Sequence, residues 1–127
     1  KNKLEAEEVI KLRLVIDENK GLVENKKEAF LYGLAGGMCF DFNSFQEHLF
    51  LVGTEEGKII YAQGLLWKYL ETYEGHYLAV YAVKWNKYHP RIFLSCSADW
   101  TIKMWDKEIT RPLMTFDLGY AVGDIEW

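Results

Sequence analysis

From residue 38 onward, apolar positions fall in short runs, each bounded by a polar stretch rich in turn formers. Two successive units share one order. A run ending in an aromatic comes first, at 38–42 and again at 81–85, and a third such run falls at 122–127. A polar turn follows, "NSFQEH" at 43–48 or "NKYHPR" at 86–91, where Pro90 ends regular pairing. Next come "LFLVG" and "IFLSC", the tight turns "TEEG" and "SADW", and the runs "KIIYA" and "TIKMW". "WKYLETY" and "RPLMTFD" close the units. These lengths and spacings predict four β-strands per unit. In "TEEGK", Gly57 supplies the positive φ that a hairpin turn requires. Polar and apolar residues do not alternate cleanly, and "HLFLVG" and "RIFLSC" are almost continuously apolar. That pattern belongs to a sheet covered on both faces.

The two units are copies of each other. Residues 39–63 align without a gap on 82–106 at an offset of 43, placing Phe42 on Trp85, Asn43 on Asn86, Phe45 on Tyr88, Phe50 on Phe93 and Ile59 on Ile102. A third copy begins at "AVGDIEW", where Trp127 follows Trp85 by 42. Four short strands repeated every 40–45 residues, each sheet covered by its neighbours, are the blades of a β-propeller. The expected fold is therefore all-β: a propeller fragment of about two four-stranded antiparallel blades plus flanking strands. Residues 38–79 form the first blade, 80–120 the second, and 121–127 the first strand of a third. Residues 1–37 read as the outer strand of a preceding blade and its connector, with Ile10, Leu12, Leu14 and Ile16 alternating as in a strand. A small β-sandwich is the runner-up, and a gapless repeat of this length argues against it. Fewer than three such units fit in 127 residues and the first residue is not Met, so a longer protein is expected.

Composition narrows the function. With 15 Lys+Arg against 19 Asp+Glu, a net charge of −4 leaves no basic stripe for nucleic acid. No apolar run approaches the roughly 20 residues that span a bilayer, and no membrane partner is expected. Cys39 and Cys96, the only cysteines, sit in apolar runs and have neither metal-ligand nor disulfide-framework spacing. They point to a reducing, intracellular compartment. No metal, cofactor or nucleotide site is expected: "GTEEGK" lacks the spacing of a phosphate-binding loop.

His76, Ser95, Ser97 and Asp99 supply the residue types of a hydrolase triad, but no nucleophile elbow or oxyanion hole accompanies them. A catalytic role is not expected, and a structural one is. The second unit resembles a WD repeat, with Gly75-His76 before its first strand and Trp105-Asp106 closing its third. The resemblance implies a hydrogen-bonded tetrad of His76, Ser97 (or Ser95), Asp99 and Trp105. The first unit departs from it, with Ala62 at the Trp position and Glu56 at the Asp position. Candidate partner contacts are the loop residues Phe45, Gln46, Glu47, Tyr88, His89 and Arg91, and Trp100 in the second turn; Tyr, Trp and Arg are common interface anchors. Phe45 and Tyr88 either meet a partner or cover the blade edge.

"GGMCFDFN", "LFLVGTEEGKI", "YHPRIFLSCSADWTIKMWD" and "AVGDIEW" together resemble the dynein intermediate chains, nearest the axonemal outer-arm type, over residues 37–127. The resemblance implies a non-catalytic scaffold subunit whose propeller binds the tail of a dynein heavy chain in the ciliary or flagellar axoneme. It also implies a second intermediate chain and light chains as partners, held through parts of the protein outside these residues. The alternative is a WD-repeat adaptor of another assembly: cytoplasmic dynein, intraflagellar transport or ubiquitin-ligase substrate recognition.

Overall fold

The computed structural model describes residues 36–127, so the strand expected near residues 10–16 lies outside the described residues. Eight strands form two antiparallel sheets, each with strand order equal to chain order. The first comprises β1 (Gly37–Phe42), β2 (Leu49–Thr54), β3 (Lys58–Gln63) and β4 (Lys68–Glu74). The second comprises β5 (Val80–Trp85), β6 (Ile92–Ser97), β7 (Thr101–Asp106) and β8 (Met114–Asp117). The expected all-β propeller fragment is what the described residues form.

The 43-residue repeat extends to backbone detail. One β-bulge interrupts β1 between Gly37 and Cys39, and another interrupts β5 between Val80 and Ala82, at equivalent positions. In each turn after the first strand, the Asn side chain accepts backbone N–H groups. Asn43 Oδ1 takes Phe45 and Gln46 at 2.7 and 3.1 Å, and Asn86 Oδ1 takes Tyr88 and His89 at 2.7 and 3.0 Å. Asn does this because its short amide reaches two residues ahead.

The continuous apolar runs are explained by burial on both faces. Along β2 and β3, Leu49, Leu51, Ile59 and Tyr61 pack into a core shared with the second sheet. Phe50, Val52 and Ala62 point the other way, against Phe40, Phe42, Ile60 and Trp67. The shared core is aromatic: Tyr61 meets Trp85 edge-on at 5.7 Å, Tyr73 meets Phe93 at 5.2 Å, and Phe93 stacks on Trp105 at 6.0 Å. Cys39 and Cys96 are free thiols acting as small apolar fillers, and burial pushes them up to about 12 and about 11.

Trp85 ties the sheets together at their inner strands. Its backbone N–H donates to Asp41 Oδ2 at 2.6 Å and its indole N–H to the Asp41 carbonyl at 3.2 Å. The same latch recurs one repeat later, where Trp127 Nε1 donates to the Lys84 carbonyl at 2.9 Å. The expected strand at 121–127 is nevertheless not formed. A strand needs a ladder, and no described strand pairs with this segment; the indole alone takes the repeat position.

Trp85→Phe in the full-length protein keeps an aromatic ring but loses the indole hydrogen bond and some buried volume, and should lower stability by about 1–2 kcal/mol. Trp85→Ala should cost about 3–5 kcal/mol. Chemical denaturation measures both, and a Trp85→Phe variant as stable as the wild type would mean the indole N–H contributes nothing.

Candidate functional site

Two constellations stand out: a buried polar relay in the second sheet, and the loops at the sheet ends. The relay begins at Trp105 on β7, fully buried. Its indole N–H donates to Ser95 Oγ at 2.9 Å, and Ser95 Oγ lies 2.7 Å from His76 Nε2. His76 Nδ1 lies 3.0 Å from Asp99 Oδ2. Asp99 in turn accepts from the Thr101 hydroxyl at 2.6 Å and from the Tyr77 backbone at 3.0 Å.

Donor counting sets the proton positions. An ionised Asp99 only accepts, so His76 Nδ1 carries the hydrogen and Nε2 is the acceptor. Ser95 must then donate to His76 while accepting from Trp105. Every group is satisfied with a neutral imidazole. A second imidazole proton would aim at Ser95 Oγ, which already receives the indole N–H. Burial pushes the His76 pKa below its ordinary value, against the pull of Asp99. Burial alone would raise Asp99, but bonds from Thr101, Tyr77 and His76 outweigh it and hold the carboxyl at about 2.

The serine of this relay is Ser95, not Ser97. Both sit on β6 on the same face, one strand period apart. Ser97 lies nearer the turn, donates to the Leu78 carbonyl at 2.9 Å, and accepts the Asp99 N–H at 3.1 Å. Only Ser95 reaches the imidazole and the indole together. Asp99, His76 and Ser95 thus have the connectivity of a hydrolytic triad, but Ser95 is fully buried and its oxygen is engaged by Trp105. This serine has no path to a substrate.

Gly75 is required by the same packing. A Cβ there would lie 2.9 Å from the Trp105 ring, so the Gly-His pair is one steric unit with the tryptophan. On the opposite side of Trp105, Asp106 receives a two-point ion pair from Arg91, at 3.2 Å from Nε and 2.6 Å from Nη2. Arg91, a candidate partner contact, is therefore committed within the sheet, where it joins the start of β6 to the end of β7.

The remaining candidate contacts divide between opposite ends of the sheets. Because the strands run antiparallel, the β1–β2, β3–β4, β5–β6 and β7–β8 connections emerge at one end, and the β2–β3, β4–β5 and β6–β7 connections at the other. Phe45, Gln46, Glu47, Tyr88 and His89 share the first end. Asn43 Nδ2 joins their two loops through the Pro90 carbonyl at 3.3 Å. Phe45 is 51% exposed and Tyr88 91%, so neither covers the blade edge. Sequence reasoning missed Leu65 and Leu66, 50% and 62% exposed in the β3–β4 turn, and Ile109 and Leu113 in the β7–β8 connection. Two leucines at a turn where polar residues normally sit were the available signal. Trp100 stands at the other end, with a φ of +74°, where the first sheet has Gly57 at +96°.

Comparison with known proteins now identifies the chain. Residues 67–106 match the family described as "WD domain, G-beta repeat", the stretch that contains the relay and its Gly-His and Trp-Asp pairs. The chain is 46% identical over its whole length to "Dynein intermediate chain 2, ciliary" of Heliocidaris crassispina. It belongs to the axonemal dynein intermediate chains. The bovine "Dynein axonemal intermediate chain 1" is 42% identical over 93% of the chain, and the Chlamydomonas reinhardtii "Dynein, 78 kDa intermediate chain, flagellar outer arm" 40% over all of it. The chain spans 16–19% of the length of these relatives. Among solved structures, the Cps50 (Swd1) β-propeller domain of Myceliophteria thermophila matches 69% of the chain, and the chain covers 26% of that domain. The TM-score is 0.64 at 17% identity, a likeness of fold. In this intermediate chain the relay and the exposed loops are thus distinct systems, one internal to a blade and one on its ends.

Ser95→Ala leaves the buried indole N–H and imidazole nitrogen without a partner, and should cost about 1–3 kcal/mol for each group. Ser97→Ala should cost about 1 kcal/mol. Denaturation of the full-length variants separates the two serines, and equal costs would place the relay elsewhere. Acid should weaken the wild type in a defined sense. The folded pKa of His76 is depressed, so its contribution is present above its ordinary 6.5 and declines as pH falls through that value. Asp99 acts in the same direction lower down, its share present above 3.8 and lost towards about 2. Stability measured from pH 8 to pH 4 should fall with acidification, and a rise would contradict the neutral imidazole.

Proposed function

We propose that this chain is the propeller part of a non-catalytic scaffold subunit of an axonemal outer-arm dynein, seated on the tail of the heavy chain and supporting assembly of the motor for ciliary and flagellar motility. Family membership supports the dynein role. The observation that carries the docking is the end of the sheets bearing Phe45, Leu65, Leu66, Tyr88, Ile109 and Leu113, each at least 38% exposed. An apolar group of this extent, held on tight turns, binds a partner with little ordering cost. The Asx turns of Asn43 and Asn86 present an aromatic at the same place on each blade, so the contacts recur along an arc. Location in the axoneme follows from the same reading. A second intermediate chain and light chains would be held by parts of the protein outside these residues.

The enclosed Ser95 supports a scaffold role, since the only triad-like arrangement among the described residues faces inward. The outer face of the second sheet supports it further. Leu94, Ile102, Met104 and Phe116 are the repeat equivalents of Leu51, Ile59, Tyr61 and Tyr73, which the first sheet buries against the second. That face suits a further blade of the ring.

The test is recovery of heavy chain with the full-length protein. Phe45→Ala, Leu66→Ala and Tyr88→Ala combined should lower heavy-chain recovery at least tenfold, because central aromatic and apolar anchors each contribute about 1–2 kcal/mol or more. The melting temperature should stay close to wild type, as all three side chains are exposed. Undiminished recovery would remove this end from the interface.

A further inference from the structure

The opposite end of the sheets has a different character. Three connections meet there: the β2–β3 turn at Glu55–Gly57, the β4–β5 link at 75–79 and the β6–β7 turn at 98–100. The first two touch so closely that a Cβ on Gly57 would lie 2.5 Å from the His76 carbonyl and 3.0 Å from that of Leu78. The second and third are joined by the Tyr77 N–H, which donates to Asp99 Oδ2 at 3.0 Å. The start of the segment after β8 joins them, with Leu118 N–H donating to the Trp100 carbonyl at 2.9 Å. This contiguous surface presents Tyr77, 88% exposed, with Leu78 and Trp100 each just over half exposed.

Its charge is one-sided. Glu56, Glu74 and Asp117 are exposed around the aromatics, and Lys58 is the only exposed lysine or arginine at this end among the described residues. Lys103, which packs against Gly75, is buried and donates to Thr115 Oγ1 at 3.1 Å. The first end has the reverse balance, with Lys68, Lys87 and Arg111 exposed against Glu47 and Glu108. Trp100 adds a second observation. Its left-handed backbone is costly for any residue with a side chain, and the equivalent turn of the first sheet uses glycine. The indole is half out of the protein, so internal packing does not offset that cost.

We infer that the end carrying Tyr77 and Trp100 is a second docking surface, and that it takes a Lys- or Arg-bearing segment of a protein partner. A cationic side chain laid over either exposed ring meets its electron-rich face. The carboxylates of Glu56, Glu74 and Asp117 then face the same charge, whereas an acidic segment would be repelled. The blades would thereby hold two partners of opposite charge, one at each end. This surface does not depend on which protein occupies the other.

The experiment places benzoylphenylalanine at position 77 of the full-length protein, and separately at position 46, in the purified complex. The peptides cross-linked on irradiation are sequenced by mass spectrometry. Position 77 should capture a segment of net positive charge, whichever subunit carries it. Its yield should fall at least tenfold with Glu56→Lys and with Trp100→Gly, while capture from position 46 is unchanged. Trp100→Gly restores the residue the turn prefers, so a loss there is not misfolding. Capture from position 46 reports on the heavy-chain reading alone, so the two can fail separately. No cross-link from position 77, capture of a neutral or acidic segment, or yields indifferent to both variants would overturn the inference.

Discussion

A sheet of four strands, each six or seven residues long apart from the four-residue β8, has two faces and too little material to cover either by folding back on itself. Both sheets here are of that kind, so their apolar faces must be covered by something outside the sheet. One face of the first is covered by the second, and the cover is aromatic: Tyr61, Tyr73, Trp85, Phe93 and Trp105 form one cluster across the gap. Full burial of a large apolar side chain contributes about 1.5–3 kcal/mol, so this contact outweighs any single hydrogen bond between the sheets. The hydrogen bonds set register instead. The Trp85 indole on the Asp41 carbonyl fixes how the inner strands meet, and Trp127 repeats that contact on Lys84.

Within a blade, the relay of Trp105, Ser95, His76 and Asp99 solves a related problem. The β4–β5 link must cross from one sheet to the next and still be tied to the second. His76 does this by burying its ring between β6 and the β6–β7 turn, with both nitrogens satisfied. The first sheet shows what happens without it. Val52 and Ala62 occupy the positions of Ser95 and Trp105, so donor and acceptor are lost together and no polar atom is left stranded. Its β2–β3 turn is closed by Thr54, whose hydroxyl exchanges hydrogen bonds with the Lys58 backbone at 3.1 Å in both directions. The relay is thus one unit: its members are present together or replaced together.

Much of this was legible in the chain because the repeat amplifies weak signals. A single "LFLVG" run does not distinguish strand from buried helix; two such runs 43 residues apart, each followed by a tight turn, do. The choice between Ser95 and Ser97 was beyond reach. Both are serines on the same face of one strand, and only the depth of the imidazole decides between them. The fate of 121–127 was equally hidden, since a sequence pattern records strand propensity but not whether a partner strand stands alongside. Arg91 read as a contact because Arg is common at interfaces. Its commitment to Asp106 depends on a cross-strand proximity that appears only once β6 and β7 are in register. Leu65 and Leu66 were passed over because they fall between the runs "KIIYA" and "WKYLETY", in a stretch assigned to neither a strand nor a turn.

The division of the exposed residues between two ends follows from strand direction alone. In an up-and-down sheet, alternate connections must emerge at opposite ends, so loop residues that look equivalent in sequence cannot all join one surface. Phe45 and Tyr88 follow the first strand of each unit and share an end; Trp100 follows the second strand and cannot join them. The two ends then diverge in composition, one apolar with an excess of cations and the other aromatic among carboxylates. Tight turns at both ends hold these side chains at fixed spacing, since Asn43 and Asn86 cap one set and Asp99 the other. The buried relay therefore reaches the surface: one carboxylate oxygen of Asp99, Oδ2, accepts from both the buried His76 ring and the Tyr77 backbone N–H. The residue that closes the interior also positions the aromatic most exposed at that end.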